Sequence, residues 1–476
     1  MSSATAVRTD DAASRDPSAR WQTMPHGIGV GRYIDPGFAK LEFERLWPRV
    51  WQVAARLDEI PQPGDYTVYA IGDQSALLVR VDAATVKAYH NFCPHRGTTL
   101  AEGDGHFERG RIVCPFHGWR WNLHGGNELV LEHQEFRDGR LQPEDVALRE
   151  IAVEVCAGLV FIHFARTPPS FDDYIAPARP WLDGMAIGEM HHYWWKELEI
   201  PANWKTAQEA FMEAYHVAAT HPQLDRLGSE IVYGDSGDLD GDLNHRIVDY
   251  EAMANGHGRF YAGQSPVRGR IQKSAATAGV DPIDAMTERL MLIVDGMDAM
   301  TLKEDVAVLQ TLRGQPVPQG STLGAEFVRA LYARAAEQQR PMPAMAPEFL
   351  AMWGGEIFLF PNFLILPQAG NCEMYRSRPH PHDPDRCIFE IWSTKTCPAD
   401  AIPPRATCER VVDPDDPAQL LLIPRQDLSN LARVQKGMHS ARMRQTWLSS
   451  RQEVLILNMH RELDRYLQPE SAAPLQ

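Results

Sequence analysis

Four residues arranged as two pairs carry the first chemistry in this chain. Cys93-x-His95 and Cys114-x-x-His117, eighteen residues apart, lie in the stretch NFCPHRGTTLAEGDGHFERGRIVCPFHGWRW. Two thiolates and two imidazoles suit either a tetrahedral zinc ion or a [2Fe–2S] cluster with both His on one iron. A Pro follows each Cys, and Gly97 and Gly118 lie just beyond each His. These residues favour tight loops whose backbone N–H groups point at sulfur. Zinc fingers more often combine a short CxxC knuckle with a helical His pair, and neither is present. A chance scatter of buried Cys and His would need four coincidences.

A second set lies in NWKTAQEAFMEAYHVAATH, where Glu209, Glu213, His216 and His221 fall at i, i+4, i+7 and i+12. Glu213 and His216 would share one face of a helix. On a straight helix His221 would point away from His216. Pro222 disfavours helical geometry at His221, which lets the two imidazoles converge. Two neutral His and a carboxylate with open positions left over form the facial triad of non-haem Fe(II) oxygenases. Read alone, the same pattern describes a surface helix with a few His. Beside an electron-carrying centre it gains a purpose, because an electron donor and an oxygen-activating iron explain each other.

The elements that must hold these residues show in the periodicity. In DPGFAKLEFERLWPRVW, Ala39, Phe43, Leu46 and Trp47 recur with helical spacing after Asp35-Pro36, and Pro48 ends or bends that helix. The period then changes to two in DYTVYAIG, SALLVRVD, TVKAYHNF and GLVFIHF, which read as strands separated by Gly and Asp turns. A small antiparallel β domain therefore spans 62–165 with both ligand pairs on its loops. A tail (1–20) and an N-terminal helical segment (21–61), packed on the larger domain, precede it. The Pro-rich RTPPSFDDYIAPARPW marks a boundary, and 166–476 forms that larger domain. There KELEI reads as a strand and NWKTAQEAFMEAYHV as a helix. SEIVYGDSGDLDGDLNHR is turn-rich, and helical stretches cover about 281–312 and 322–339. GGEIFLFPNFLILPQ, EMYRSRPH and CIFEIWSTK return to strands, and QDLSNLARVQKGMHS and RQEVLILNMHRELDRYL close the chain as helices. The fold class is α+β, a small β domain before a mixed sheet covered by helices.

At 476 residues the chain is long enough for two to three domains. Hydrophobic residues at 44% and charged residues at 23% describe a globular enzyme, and a net charge of −16 argues against nucleic acid. Seven cysteines without repeated spacing do not make a disulfide framework. Cys156, Cys372, Cys387, Cys397 and Cys408 read as reduced structural thiols. No stretch is long and apolar enough to span a membrane, and the polar N-terminus lacks a signal-peptide core, so a cytoplasmic location is expected.

The frames CPHRG and CPFHGW resemble the ligand loops of Rieske iron–sulfur proteins. With NWK…E…F…E…YH…H and QDLSNLARVQKG, the chain as a whole resembles the large (α) subunit of a Rieske non-haem iron ring-hydroxylating oxygenase, leaving 226–350 mostly uncovered as a variable insertion. The resemblance implies that Cys93, His95, Cys114 and His117 hold a [2Fe–2S] cluster. It implies that His216, His221 and Asp427 hold a mononuclear Fe(II). By local rules alone Asp427 reads as the N-cap of a helix starting at LSNLARV. The resemblance also makes Glu213 the bridge between centres, paired with the free ring N–H of His117 from a neighbouring copy in a homotrimer. Where many members have Asn, this chain has Ala210.

The expected function is that of a terminal oxygenase fed by a ferredoxin or flavin reductase, since no GxGxxG dinucleotide loop is present, with or without a small β subunit. The small-molecule substrate is expected to be an aromatic or other apolar ring undergoing cis-dihydroxylation. The alternatives are a Rieske monooxygenase or demethylase, a pure electron carrier, and a zinc-stabilised binding protein. The substrate chamber is expected between the His216 helix and the strands around Phe358–Leu366 and Phe389–Trp392, with Arg376 and Arg378 as candidates for an anionic substrate group.

Overall fold

Asp35 accepts a hydrogen bond from Gly37 N–H at 2.8 Å and caps the Pro36–Arg45 helix, with Pro36 at its first turn. A 3₁₀ turn at Trp47–Arg49 follows, so Pro48 bends the chain as expected. The computed structural model describes residues 20–221, 223–224, 248–262 and 281–467. The expected tail (but for Arg20), Pro222 and the turn-rich stretch 229–246 lie outside the described residues. The N-terminal helix is anchored to the larger domain by a fully buried ion pair, Lys205 Nζ to Glu42 Oε1 at 2.8 Å, and Trp204 Nε1 donates to the same carboxylate at 3.2 Å.

The first sheet has seven strands in the order Gln52–Arg56, Leu159–His163, Glu150–Cys156, Val86–His90, Gln74–Arg80, Asp65–Ile71 and Asp104–His106, every pair antiparallel. Its first strand lies in the segment expected to be helical, so the sheet begins ten residues before position 62. A three-stranded sheet, Arg111–Val113, Arg120–Asn122 and Asn127–Leu129, packs through Ile112, Trp119 and Trp121 against Leu77, Val79 and Tyr89. The alternation read from the sequence places these residues inward because successive side chains leave opposite faces of a strand.

The second sheet has eight strands in the order Val248–Ala252, Gly258–Ala262, Glu356–Leu359, Phe363–Pro367, Asn371–Pro379, Cys387–Thr396, Met190–Ile200 and Glu409–Arg410. Only the last pair is parallel, which makes the sheet mixed, as expected. One face carries Phe260, Phe358, Leu364, Tyr375, Phe389 and Ile391 towards the helices Trp204–Glu209, Leu422–Met438 and Val454–Leu467. The other carries Ile357, Leu359, Phe363, Ile365, Met374 and Trp392 towards the first domain and the Phe171–Met190 segment. The expected helix over 281–312 is two, Pro282–Met297 and Lys303–Gln310, because Asp298 and Met300 adopt φ of 51° and 60° between them.

Arg376 and Arg378 belong to the joint between the domains. Arg376 donates to the Val53 and Ala54 carbonyls at 3.1 and 2.6 Å, and both guanidiniums pair with the buried Glu390 at 2.6 and 2.9 Å. They are thereby committed to structure, and the expectation that they meet an anionic substrate is corrected. Their two positive charges hold the Glu390 carboxyl down at about 2 despite complete burial.

Candidate metal centres and their surroundings

The two Cys-His loops are built alike. Cys93 N–H donates to Thr98 O and Cys114 N–H to Trp119 O, both at 2.8 Å. Gly97 N–H returns to Cys93 O at 2.9 Å and Gly118 N–H to Cys114 O at 3.1 Å. Both glycines take left-handed φ, 79° and 69°, so each tight reversal needs a residue without Cβ strain. The loops bring the His95 and His117 rings to 4.6 Å between centroids, with His95 stacked on Trp119 at 4.8 Å. Cys93 and Cys114 are buried, and burial pushes the Cys93 thiol up to about 11, while the His95 and Arg96 N–H groups act on its sulfur in the opposite sense. His95 Nδ1 is a buried polar atom without a partner among the described residues. Two inward thiols, two converging imidazoles and an orphaned ring nitrogen fit a bridged iron–sulfur cluster held as Cys2His2.

At the second site the chain departs from the expected long helix. Trp204–Glu209 is helical, 210–216 is bent, and the helix resumes at Val217–Thr220. The Glu213 carboxylate accounts for the interruption. It accepts from the backbone N–H groups of Tyr215 and His216, the latter at 2.9 Å, capping the new turn with its own side chain. Its other oxygen meets His216 Nδ1 at 2.8 Å. His221 leaves the helix at φ −121°, ψ 60°, as required for convergence. The imidazoles then lie 5.5 Å apart, and His221 Nε2 and His216 Nε2 approach Asp427 Oδ1 at 2.9 and 3.7 Å.

Asp427 is not an N-cap. The helix that carries it begins at Leu422, so Asp427 sits inside it and turns inward, 6% exposed. His216, His221 and Asp427 are the only cluster of three or more metal-ligating side chains with ligand atoms within 4.8 Å among the described residues. Both rings present Nε2 to Asp427 because their Nδ1 atoms are occupied, His216 by Glu213 and His221 by Gln426 Oε1 at 2.9 Å. Carboxylate and amide acceptors behind each ring fix the tautomer a metal needs. Burial works against an imidazolium at His216, but the Glu213 carboxylate outweighs it and makes the ring more basic. The donor set fits a 2-His-1-carboxylate iron.

Gln426 was missed by sequence reasoning, although it directly precedes Asp427; nothing local marks a Gln as a ring-orienting acceptor. Glu209 is not brought to the metal. It accepts from Tyr33 Oη at 2.9 Å and meets His460 Nε2 at 2.7 Å, in the seam with the N-terminal segment, where burial lifts its carboxyl to about 8. Phe211 stacks on Tyr375 at 4.2 Å and on Phe389 at 5.5 Å in the core between the sheet and the metal-bearing helices. Trp392 belongs to the opposite face.

A domain with a Cys2His2 loop pair followed by a helix-covered sheet holding two His and an Asp defines a two-centre iron protein. The sequence matches the model for the ring hydroxylating alpha subunit (catalytic domain) over 187–469 and that for the Rieske [2Fe–2S] domain over 50–136. The chain belongs to the ring-hydroxylating α-subunit family of Rieske oxygenases, with a Rieske cluster and a mononuclear iron as its cofactors. It is 32% identical over 232 residues to the glycine betaine monooxygenase oxygenase subunit of Chromohalobacter salexigens, covering 48% of this chain and 50% of that protein. It is 28% identical over 237 residues to the biphenyl 2,3-dioxygenase subunit alpha of Rhodococcus jostii, covering 48% and 51%. The chain spans about half the length of the curated relatives it matches. Its fold resembles a quaternary ammonium Rieske monooxygenase, TM-score 0.60 at 16% identity, covering 92% of this chain and 94% of that one. It equally resembles naphthalene 1,2-dioxygenase from Rhodococcus sp., TM-score 0.60 at 17% identity, covering 94% and 95%. No helix among the described residues is long and apolar enough to cross a membrane.

Proposed function

We propose that this protein is the terminal oxygenase component of a multi-protein system, inserting oxygen from O2 into a small organic substrate. The observation that carries the reading is the convergence of His216, His221 and Asp427 with both Nδ1 atoms already occupied. When bound, the cluster supplies single electrons and the mononuclear Fe(II) binds and reduces O2. The chain's own residues do the rest. Asp427 supplies the anionic ligand, Gln426 and Glu213 orient the imidazoles, and Phe211, Tyr375 and Phe389 give the chamber a dry wall.

Among the described residues no hydrogen bond or ion pair joins His117 to Glu213 within one chain, and His117 is partly exposed. Phe116 and Tyr215, beside the two residues, are 58% and 60% exposed. Large apolar groups left exposed at both ends of an electron path support its completion across a subunit boundary, with His117 donating its free N–H to Glu213 of a second copy. A carboxylate offers about four lone-pair sites, so Glu213 can serve both His residues. A homotrimer, a separate reductase or ferredoxin, and a reducing cytoplasmic setting consistent with its free thiols complete the reading.

Two chemistries share this site. Monooxygenation, including demethylation, is supported by the name of the 32%-identical relative, and cis-dihydroxylation of an apolar ring by the biphenyl relative and the aromatic wall. Labelled O2 separates them: one label in the product for the first, two for the second. Glu213→Gln retains both metals and loses at least about 100-fold in turnover, the usual order for a displaced coupling group. Normal turnover in that variant removes the bridging role, and a protein without mononuclear iron removes the whole reading.

A further inference from the structure

The sheet face beneath the metal cluster carries two carboxyls that nothing among the described residues satisfies. Glu356 and Glu373 are both 0% exposed, and none of their four carboxyl oxygens has a hydrogen-bond partner among the described residues. The Tyr375 hydroxyl lies near Glu373 and eases its ionisation, but it does not close a hydrogen bond. Every other buried carboxylate among the described residues has a partner. Glu42 holds Lys205, Glu59 accepts from Arg56 N–H, and Glu213 meets His216. Glu390 holds two arginines, Asp65 meets His106, Asp305 accepts from Asn371, and Asp427 meets His221. A buried polar group without a partner destabilises the fold, so a pair retained together calls for a ligand.

Strand parity places both on the chamber side. Glu356 shares its face with Phe358, and Glu373 shares its face with Tyr375, residues of the cluster packed under the metal-bearing helices. The register lines them up across the sheet. Tyr250 pairs with Phe260 and Phe260 with Glu356; Leu366, one step beyond the Ile357–Ile365 pair, faces Glu373. The two carboxyls therefore stand two strands, about 10 Å, apart. Each also faces the metal cluster's own acids: Glu356 feels the charge of Glu213, and Glu373 that of Asp427. No Lys or Arg pairs with either among the described residues.

We infer that Glu356 and Glu373 form a cation-recognition floor in the substrate chamber, and that the substrate is an organic cation, an alkylated ammonium, seated between the two carboxyls and the aromatic rings beside them. Phe260 stands opposite Glu356 with Tyr250 one strand beyond it, and Tyr375, stacked on Phe211, is next to Glu373 on the same face. Aromatic faces attract a cation and tolerate its alkyl groups, and a seated cation favours the ionised form of the carboxyls, which burial otherwise holds protonated. An uncharged ring would instead leave both carboxyls unpaired. The inference rests on the reading of His216, His221 and Asp427 as the substrate-side iron site.

The test uses the iron-loaded full-length protein and charged–neutral pairs of the same shape. Choline is compared with 3,3-dimethylbutan-1-ol, and phenyltrimethylammonium with tert-butylbenzene, by calorimetry, with potassium chloride as the inorganic control. At least one cation binds tenfold or more tightly than its neutral partner. Glu356→Gln and Glu373→Gln each reduce that preference several-fold, and the double variant removes it while iron content is unchanged. Should a variant fail to fold, the wild-type comparison still decides. Failure of both cations to bind, equal binding of the neutral partners, a preference that survives the double variant, or displacement by millimolar potassium each overturns the inference. A protein that keeps the preference but lacks turnover counts against the oxygenase reading alone, and turnover without a preference counts against the cation floor alone.

Discussion

Replacing Glu373 with Met separates a structural carboxyl from one kept for a ligand. Burial, with Asp427 adding to it and the Tyr375 hydroxyl opposing it, lifts the Glu373 carboxyl to about 8 from an ordinary 4.5. A carboxyl with a raised folded-state pKa contributes fully below its unfolded value, and its contribution is lost as pH rises through the folded one. From 4.5 to pH 7 that loss is about 3 kcal/mol at 1.36 kcal/mol per unit. Bound iron, as a nearby positive charge, favours the carboxylate and reduces the figure. The cost of an unsatisfied buried group sets the same scale, about 1–3 kcal/mol. Glu373→Met, similar in volume, is therefore expected to stabilise the protein by about 1–3 kcal/mol at pH 7, or about 2–10 °C in thermal midpoint. The gain should grow by up to about 1.4 kcal/mol per unit between pH 5 and 8. Differential scanning fluorimetry across that range measures both. A lower midpoint, or a gain independent of pH, would show that the carboxyl has a structural partner and is not held free for a ligand.

Lys205→Met leaves Glu42 buried without its cation and should cost about 3–5 kcal/mol by urea denaturation, whereas Lys205→Met with Glu42→Leu should recover most of it. Gln426→Leu frees the His221 ring and is expected to weaken mononuclear iron binding by about 10–100-fold, read by metal-buffer titration, with the visible cluster spectrum unchanged. His257 donates to Tyr174 O at 2.8 Å and accepts from Phe360 N–H at 3.1 Å, and burial lowers it to about 4. Its depressed pKa means that its stabilisation is present above about 6.5 and lost as pH falls to about 4. The stability gap between wild type and His257→Gln should thus close by about 3 kcal/mol over that interval, as measured by urea denaturation at each pH.

What could be read from the sequence was whatever chemistry or periodicity wrote into short spacings. The two Cys-His loops are self-contained turns whose Pro and Gly positions mark them, and Glu213, His216 and His221 lie within nine residues of each other. Asp427 was legible only through resemblance, because its helix starts six residues earlier than its polar pattern suggests, with Pro424 tolerated in the first turn. The break at 210–216 was hidden because AFMEAY has ordinary helix propensity. The competing term is the Glu213 side chain capturing backbone N–H groups, a choice settled only when His216 must also face a metal. Strand Gln52–Arg56 was hidden because all five residues are buried, which erases alternation.

Glu356 and Glu373 mark the harder limit. GGEIFLF and CEMYRSR look like strand edges carrying one and three charges, and a charge in a strand usually means a solvent face. In the Asn371–Pro379 strand, alternation puts Glu373 on the face opposite Arg376 and Arg378, three and five residues on, whatever the register. The pairings Ser377–Phe389 and Tyr375–Ile391 set Arg376 opposite Glu390, so both arginines are held there and no cation among the described residues pairs with Glu373. The missing partner is thus a product of where each charge falls in the strand alternation rather than of overall composition. It turns the expected apolar chamber into one whose floor carries two unpaired acids, and it makes the charge of the substrate, more than its ring, the property to test first.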